Sequence, residues 1–495
     1  MSCFLCYDIR GIQNFIFKIP KLKYVIGGSA LIDNFDKTIP GIHIEGVEHI
    51  YSAGGKGAFN CKTDDIAEML KGEIIKKAHS IGLDIRFGIG SKFVETANKV
   101  NELYPYIPSN LNGEPCCISG LYPVESGKEH AIVKKRCYKR GCASDDGIWR
   151  RFDELFCLKQ NQNFFYDVSS DTEEGRKGEK ALGGKRWAII CMDGNDIGAQ
   201  FRKKIKESKN ENDLINWIKE MSVALGKCTL EATKAGTKKV IEKWEGNVKP
   251  KFDNDNIVLP IRPIVVGGDD IIVLCNVLYA SDFIKEACKK FRDESKMLHK
   301  NAKIPLWIAT NGELSLSAGV LYCPVNLPLH SAIIYTEKLL ANAKKAGRIF
   351  KEENNTPPEM IDWEQITETV LDTPEARRKR ELYFYDEDLK KYIELTIRPY
   401  TIDNYIKIEN HSNVYSKIPA TIRYSVLPAM QKGHNDRLAY VAQLRKNHPE
   451  LAKDLWEYDE KEKDSRWKTV NGVKRTDVID ALLILEEKER MKGVN

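Results

Sequence analysis

The sequence predicts an α+β protein in which one strand–helix–hairpin–helix–strand unit occurs twice. Three observations predict it. Two apolar, strand-like runs, Cys3–Ile9 and 187–192, each lead to an aspartate (Asp8 and Asp193) with glycine close behind. Two glycine tips then interrupt strand-forming residues, Gly54-Gly55-Lys56-Gly57 and Gly267-Gly268-Asp269-Asp270. After each tip come a helical stretch and another apolar strand. That order is βαββαβ, a ferredoxin-like unit, and the two copies agree in element order rather than in residue identity.

In the first copy, strand Cys3–Ile9 is followed by Gly11-Ile12-Gln13-Asn14-Phe15-Ile16-Phe17 and a helical segment over 26–36. Strand 49–52, the glycine tip and strand 58–61 make its hairpin. A helix over 64–81 and a strand over 84–90 close it. The second copy opens with 187–192 and Asp193-Gly194-Asn195-Asp196-Ile197-Gly198. Between this strand and its hairpin, 202–255 is rich in Lys, Glu and Asn and reads as an insertion. A hairpin about the Gly267–Gly268 tip, a helix over 280–299, a strand over 314–321 and a helix over 329–346 complete the copy. The polar, glycine-containing stretch 169–185 reads as a linker. Beyond the Asn354-Asn355-Thr356-Pro357-Pro358 break, 359–495 shows helical apolar spacing, as in 438–444 and 478–485, with no catalytic-looking cluster. The domains expected are therefore a first unit over 1–109, a cysteine-bearing module over 110–168, a second unit over 186–352 and a helical domain over 359–495.

Composition bounds the function. A chain of 495 residues exceeds one core and suggests about three or four domains. Hydrophobic content of 42% with 30% charged residues describes a globular protein. With 77 Lys+Arg against 71 Asp+Glu the excess is only +6, so bulk charge does not demand nucleic acid. Clusters such as Arg377-Arg378-Lys379-Arg380 read as solvated helix faces. No apolar stretch reaches the length of a membrane span, and the first ten residues lack a signal-peptide pattern. Thirteen cysteines, several inside apolar runs (Cys191, Cys275, Cys323), fit reduced core thiols and a cytoplasmic protein.

The chemistry gathers at the second hairpin. Adjacent carboxylates at a tip between buried strands repel one another and lose hydration unless a cation neutralises them. In a βαββαβ sheet the first strand lies beside the hairpin, so Asp193 converges with Asp269 and Asp270 at one sheet edge. Three carboxylates there suit Mg²⁺ or Mn²⁺ and phosphoryl transfer. Asp196 reads as the cap of the next helix. The last helix carries Ala343-Lys344-Lys345-Ala346-Gly347-Arg348, with Gly347 as a helix C-cap and cations where a β- or γ-phosphate needs them.

Asp193, the Gly-Gly-Asp-Asp tip and the Ala-Lys-x-x-Gly-Arg helix resemble the palm or GGDEF-type nucleotide cyclases. The run Asp8–Phe17, then Gly27-Gly28-Ser29-Ala30-Leu31, then a glycine hairpin without acids, resembles the first palm of the type III CRISPR large subunit. In that family a cysteine-bearing zinc module joins the first palm to a second that carries GGDD, and a helical domain follows. The resemblance covers about 1–350 by motif and 359–495 by position and helicity. It implies a cyclase that joins ATP into cyclic oligoadenylate between two palms. Asp193, Asp269 and Asp270 would hold the metals. Lys344 and Arg348 would contact the triphosphate, with Gly194, Gly267 and Gly268 close to it. Gly28 and Ser29, with the tip residues Gly54, Gly55 and Lys56, would hold the acceptor nucleotide. Lys56 would stand in for metal charge.

Many members begin with a histidine–aspartate nuclease domain, whereas this chain starts directly in the first palm strand. Cleavage of single-stranded DNA is therefore not expected. Partners implied are guide and target RNA and other effector subunits, or a second copy of the chain if it acts alone. Cys116, Cys117, Cys137 and Cys142, in the irregular spacing C-C-x19-C-x4-C and with His130 as a substitute, are either ligands of a structural zinc or free thiols. Two other readings fit the same residues: a cyclic dinucleotide synthase, and a non-catalytic scaffold of an RNA-guided complex. A template-dependent polymerase would need a primer–template cleft that nothing in the sequence supplies.

Overall fold

In the computed structural model, residues 3–19, 22–100, 102, 163–164, 180–247, 256–257, 259–310, 312–354, 356–367, 372–456 and 466–492 are described. Cys116, Cys117, His130, Cys137 and Cys142 lie outside these residues, so the zinc module does too.

The strands in chain order are β1 (Cys3–Ile9), β2 (Val47–Ala53), β3 (Lys56–Cys61), β4 (Ile85–Gly90), β5 (Asn163–Phe164), β6 (Arg186–Gly194), β7 (Asn256–Ile257), β8 (Ile261–Gly267), β9 (Asp270–Cys275), β10 (Leu316–Pro324) and β11 (Met360–Gln365). They continue with β12 (Tyr383–Asp386), β13 (Lys391–Glu394), β14 (Tyr400–Thr401), β15 (Trp467–Val470) and β16 (Val473–Thr476). The first sheet runs β2-β3-β1-β4, every pair antiparallel. The second contains β10-β6-β9-β8, the same order once β6 is matched to β1. Both are ferredoxin-like, and the duplicated unit expected from the sequence is present.

β1 is buried along its whole length because its residues are apolar on both faces, with helices covering one of them. Helix Asp64–His79 starts at Thr63, whose hydroxyl accepts the Ile66 N–H, and buries Ala67, Leu70, Ile74 and Ala78, an i, i+3, i+4 stripe. In the second unit the corresponding helix, Ala280–Asn301, buries Phe283, Ile284, Ala287, Cys288 and Phe291 at the same spacing.

Four expectations need correction. The 202–255 stretch is not an insertion but contains the second unit's long helix, Glu211–Asn247, which follows the shorter Ile197–Glu207 and whose Trp217, Met221, Cys228 and Ala232 are fully buried. The last helix does not stop at Gly347: it runs Leu329–Asn354, and Gly347 lies inside it. A Cβ at Gly347 would come within 3.2 Å of Met360 Cγ, so the glycine allows β11 to pack close rather than capping the helix. Residues 359–495 are mixed rather than helical. β11 joins β10 in parallel and β14 follows it, so the second sheet extends to Thr401, while β12-β13-β16-β15 form a separate sheet. Asp196 stands at the helix N-cap position but makes no side-chain cap bond; Lys351 takes its carboxylate.

The C-terminal helix Val478–Lys492 returns to the second sheet. Buried Arg186, the first residue of β6, pairs with Glu487 and donates to the carbonyls of Tyr322 and Ile366 at 3.2 and 3.1 Å. Eight cysteines among the described residues are buried free thiols, Cys191, Cys275 and Cys323 included. No described helix is long and apolar enough to cross a membrane.

Candidate active site

The register of the two sheets shows which residues correspond. In the first unit Asp8 faces Lys56 on one side and Arg86 on the other. In the second, one step beyond the Met192–Ile271 pair, Asp193 faces Asp270, with Ser317 on its other side. Both hairpins turn in two residues, between Ala53 and Lys56 and between Gly267 and Asp270. Gly54 therefore matches Gly268, Gly55 matches Asp269, and Lys56 matches Asp270. Gly54, Gly55 and Gly268 have φ of +61°, +76° and +60°, the left-handed values that tight hairpin turns require. Three residues past each strand aspartate, Gly11 and Asp196 share that conformation, at φ +64° and +60°. The duplication thus extends to single backbone angles.

In the second unit the carboxylates crowd as expected. Gly194 leaves room for the hairpin: a Cβ there would meet Asp269 Cβ at 3.1 Å and Ile197 Cγ1 at 2.8 Å. Burial, and then the charge of Asp193, push the Asp269 carboxyl up to about 8. Asp270 keeps solvent access on one side, yet the protein packed around the rest of it and the charge of Asp193 raise it to about 7. Lys344 works against that rise. Its ammonium pairs with Asp193 and donates to the Gly194 carbonyl at 2.9 Å. The tip itself is braced from below, where the Thr229 hydroxyl donates to the Gly268 carbonyl at 2.6 Å.

The first unit neutralises its aspartate with protein groups. Asp8 pairs with Arg86, and Lys56 Nζ lies 3.7 Å from its other oxygen. The Gly55 N–H donates to Asp36 at 2.8 Å, so this tip too is tied to the long helix between the first strand and the hairpin of its own unit, Leu22–Thr38.

The units meet across a cavity of about 740 Å³. Ser29 and Gly54 line it from one side, and Gly267, Gly268 and Asp270 from the other. Gln13 donates to Glu337 across the junction, Phe17 stacks on His330 with centroids 5.6 Å apart, and Lys219 pairs with Glu48. Gly28 is buried in its helix. Asp193, Asp269, Gly55 and Lys56 adjoin the lining through their hairpin and strand neighbours. Lys344 is engaged with Asp193, and exposed Arg348 does not line the cavity. Lys37, Lys219 and Lys227 do line it. They escaped sequence reasoning because each looks like an ordinary lysine on a charged helix face. Glu337, whose charge bears on Asp270, escaped for the same reason.

Among the described residues no three His, Cys, Asp or Glu side chains form a ready-made metal cage. Mg²⁺ does not ask for one, since it binds through one or two carboxylates together with substrate phosphates. Crowded, partly protonated carboxylates held by a lysine ammonium fit such an ion.

Residues 186–351 match the family model for the second palm domain of Cas10/Cmr2, so the second unit is a palm of that kind. The whole chain shares its fold with a chain of the Csm1–Csm4 cassette in complex with cA4, at 12% identity, with 100% of this chain and 70% of that one covered and a TM-score of 0.52. Chains from the cassette with cA3 (14% identity, 98% and 69% covered, TM-score 0.49) and with one ATP (13%, 98% and 70%, 0.49) are also similar. No curated protein matches the sequence.

Proposed function

We propose that this Cas10-like chain is a nucleotidyl cyclase that joins ATP into cyclic oligoadenylate, releasing pyrophosphate, in CRISPR-type defence. The observation that carries the reading is the shared cavity, faced by a carboxylate hairpin from one palm and a metal-free twin from the other. Joining two nucleotides needs unlike half-sites. One neutralises a triphosphate; the other presents a hydroxyl to it. The second palm is the donor side. Asp193, Asp269 and Asp270 would hold Mg²⁺ or Mn²⁺, which supplies charge neutralisation of the phosphates and acidifies an attacking hydroxyl.

Lys344 holds Asp193 in place and keeps a positive charge beside the strand end. In the first palm, Arg86 and Lys56 occupy Asp8, so the strand-end carboxylate that matches Asp193 is already neutralised by the protein. Ser29 and the Gly54 backbone are left to hold an acceptor nucleotide, with Lys37, Lys219 and Lys227 offering positive charge along the cavity. The second-palm match supports the same reading, as does the fold shared with a cassette whose structure holds cA4. In that cassette two proteins assemble, and this chain would likewise work with other effector subunits and an RNA trigger.

The test is to incubate the protein with ATP and Mg²⁺ or Mn²⁺, with and without RNA, and to weigh the products by mass spectrometry. Cyclic oligoadenylate that disappears in Asp269→Ala/Asp270→Ala supports the assignment. Undiminished product in that variant overturns it, and a cyclic dinucleotide would redefine the product.

A further inference from the structure

Helix Leu329–Asn354 carries His330, Glu337, Lys344 and Lys351 at seven-residue intervals, so the four side chains form one stripe. All four are half-buried. Lys344 grips Asp193 and Lys351 grips Asp196, both in the second palm. The other two meet the first palm instead. His330 stacks on Phe17, and Glu337 accepts an N–H from the Gln13 side chain, Gln13 and Phe17 lying one turn apart on the short helix Ile12–Phe17.

Glu337 differs from its neighbours on the stripe. Burial deprives it of water, yet among the described residues no Lys, Arg or His pairs with it. Alternate residues of a strand point the same way, so Cys191 and Asp193 share one face of β6. The charges of Glu337 and Asp270 both act on the buried Cys191 thiol, and that of Glu337 acts on Asp270 as well. Glu337 thus stands beside the donor carboxylates, one stripe position from the lysine that neutralises Asp193. A half-buried carboxylate without a cation of its own, next to Asp193, Asp269 and Asp270, adds to the field that draws a divalent ion.

We propose that Glu337 strengthens divalent-cation binding at the donor palm through its charge, and that Gln13 of the first palm is the positioning residue that holds it there. Mg²⁺ keeps several waters when bound, so a neighbouring carboxylate acts on it without being a ligand. The inference rests on the reading of Asp193, Asp269 and Asp270 as the cation site. It makes that site one that both palms complete, since Gln13 also lines the shared cavity.

The test titrates the full chain with Mn²⁺ alone, reading the free ion by electron paramagnetic resonance. Asp269→Ala/Asp270→Ala identifies the binding that belongs to the donor palm, and only that part is compared. Glu337→Gln, which keeps size and hydrogen-bonding capacity, is expected to weaken it about fivefold, the scale of one unit charge acting on an ion near a hydrated surface. Gln13→Ala should weaken it about threefold and add nothing in the Glu337→Gln background, where the charge it holds is already gone. Unchanged Mn²⁺ affinity in Glu337→Gln overturns the inference. So does a Gln13→Ala effect that persists in full beside Glu337→Gln, as loosening of the junction alone would produce. Without metal, Glu337→Gln should melt no lower than the parent, which keeps a damaged fold out of the comparison. Mn²⁺ binding that ignores Asp269→Ala/Asp270→Ala strikes the donor site itself and takes this inference with it, whereas failure of the Glu337 arm alone leaves the product assay untouched.

Discussion

Asp8 and Asp193 hold the same place in two sheets of one topology, and they live in opposite surroundings. Asp8 is flanked by Lys56 and Arg86; Asp193 is flanked by Asp270 and Ser317. The backbone is shared down to the left-handed residues Gly11 and Asp196. A few side chains on a common frame therefore set the two units apart: in one the strand-end aspartate is met by protein cations, and in the other it faces a second carboxylate.

The comparison breaks most severely if the second tip is made like the first. Asp270→Lys reproduces the Asp8–Lys56 pairing opposite Asp193 and should cut product below one per cent, measured by mass spectrometry. Its melting temperature should rise at neutral pH, because a repulsive pair becomes an attractive one. Activity near that of the parent would end the idea that the palms differ by this charge. The reverse change, Lys56→Asp, should create no second donor site, since Arg86 still holds Asp8; product that survives Asp269→Ala/Asp270→Ala in that background would contradict it.

A smaller effect is expected from Lys344→Ala. It leaves Asp193 facing Asp269 and Asp270 uncompensated, so thermal stability without metal should fall by roughly 1–3 kcal/mol. Mg²⁺ should restore more of it than in the parent. A loss that Mg²⁺ does not touch would place the lysine outside the cation site.

The first palm has its own titration. Asp36 faces Asp33 on its own helix and Tyr7 and Tyr51 on β1 and β2. Its folded carboxyl is raised to about 7, against about 3.9 in an unfolded chain. Between these values the folded state keeps a proton that the unfolded chain has released, so stability falls as pH rises from about 4 to 7. Asp36→Asn should flatten that decline relative to the parent, read as the change in melting temperature between pH 4.5 and 7.5. Parallel curves for the two proteins would refute it.

The mildest perturbation is Thr229→Val, which removes the donor to the Gly268 carbonyl. A cost of about 1 kcal/mol and a several-fold loss of product are expected, with Thr229→Ser close to the parent.

Much of this site was legible in the chain. Apolar runs ending at Asp8 and Asp193, and the Gly-Gly-Asp-Asp tip, announce strands and a carboxylate edge. The long helix Glu211–Asn247 did not announce itself, because Thr229, Thr233 and Thr237 occupy buried positions and blur its apolar stripe. The strands beyond residue 380 were hidden by their brevity and by charged residues such as Lys391, Lys474 and Arg475. In the chain, Asp36 is only the carboxylate at the end of the helical segment 26–36 and carries no signal of its own. Only the folding-back of Gly55, nineteen positions on, shows what surrounds it.

One contact has a bearing on how the molecule comes into being. Arg186 opens the central strand of the second palm, and its buried guanidinium is matched by Glu487, 301 residues later. During synthesis the palm sheet can pair long before that glutamate leaves the ribosome, but an unmatched buried cation holds it short of its final packing. The final packing of the second unit therefore depends on the last helix, and a chain lacking that helix would leave the Arg186 guanidinium buried without its carboxylate.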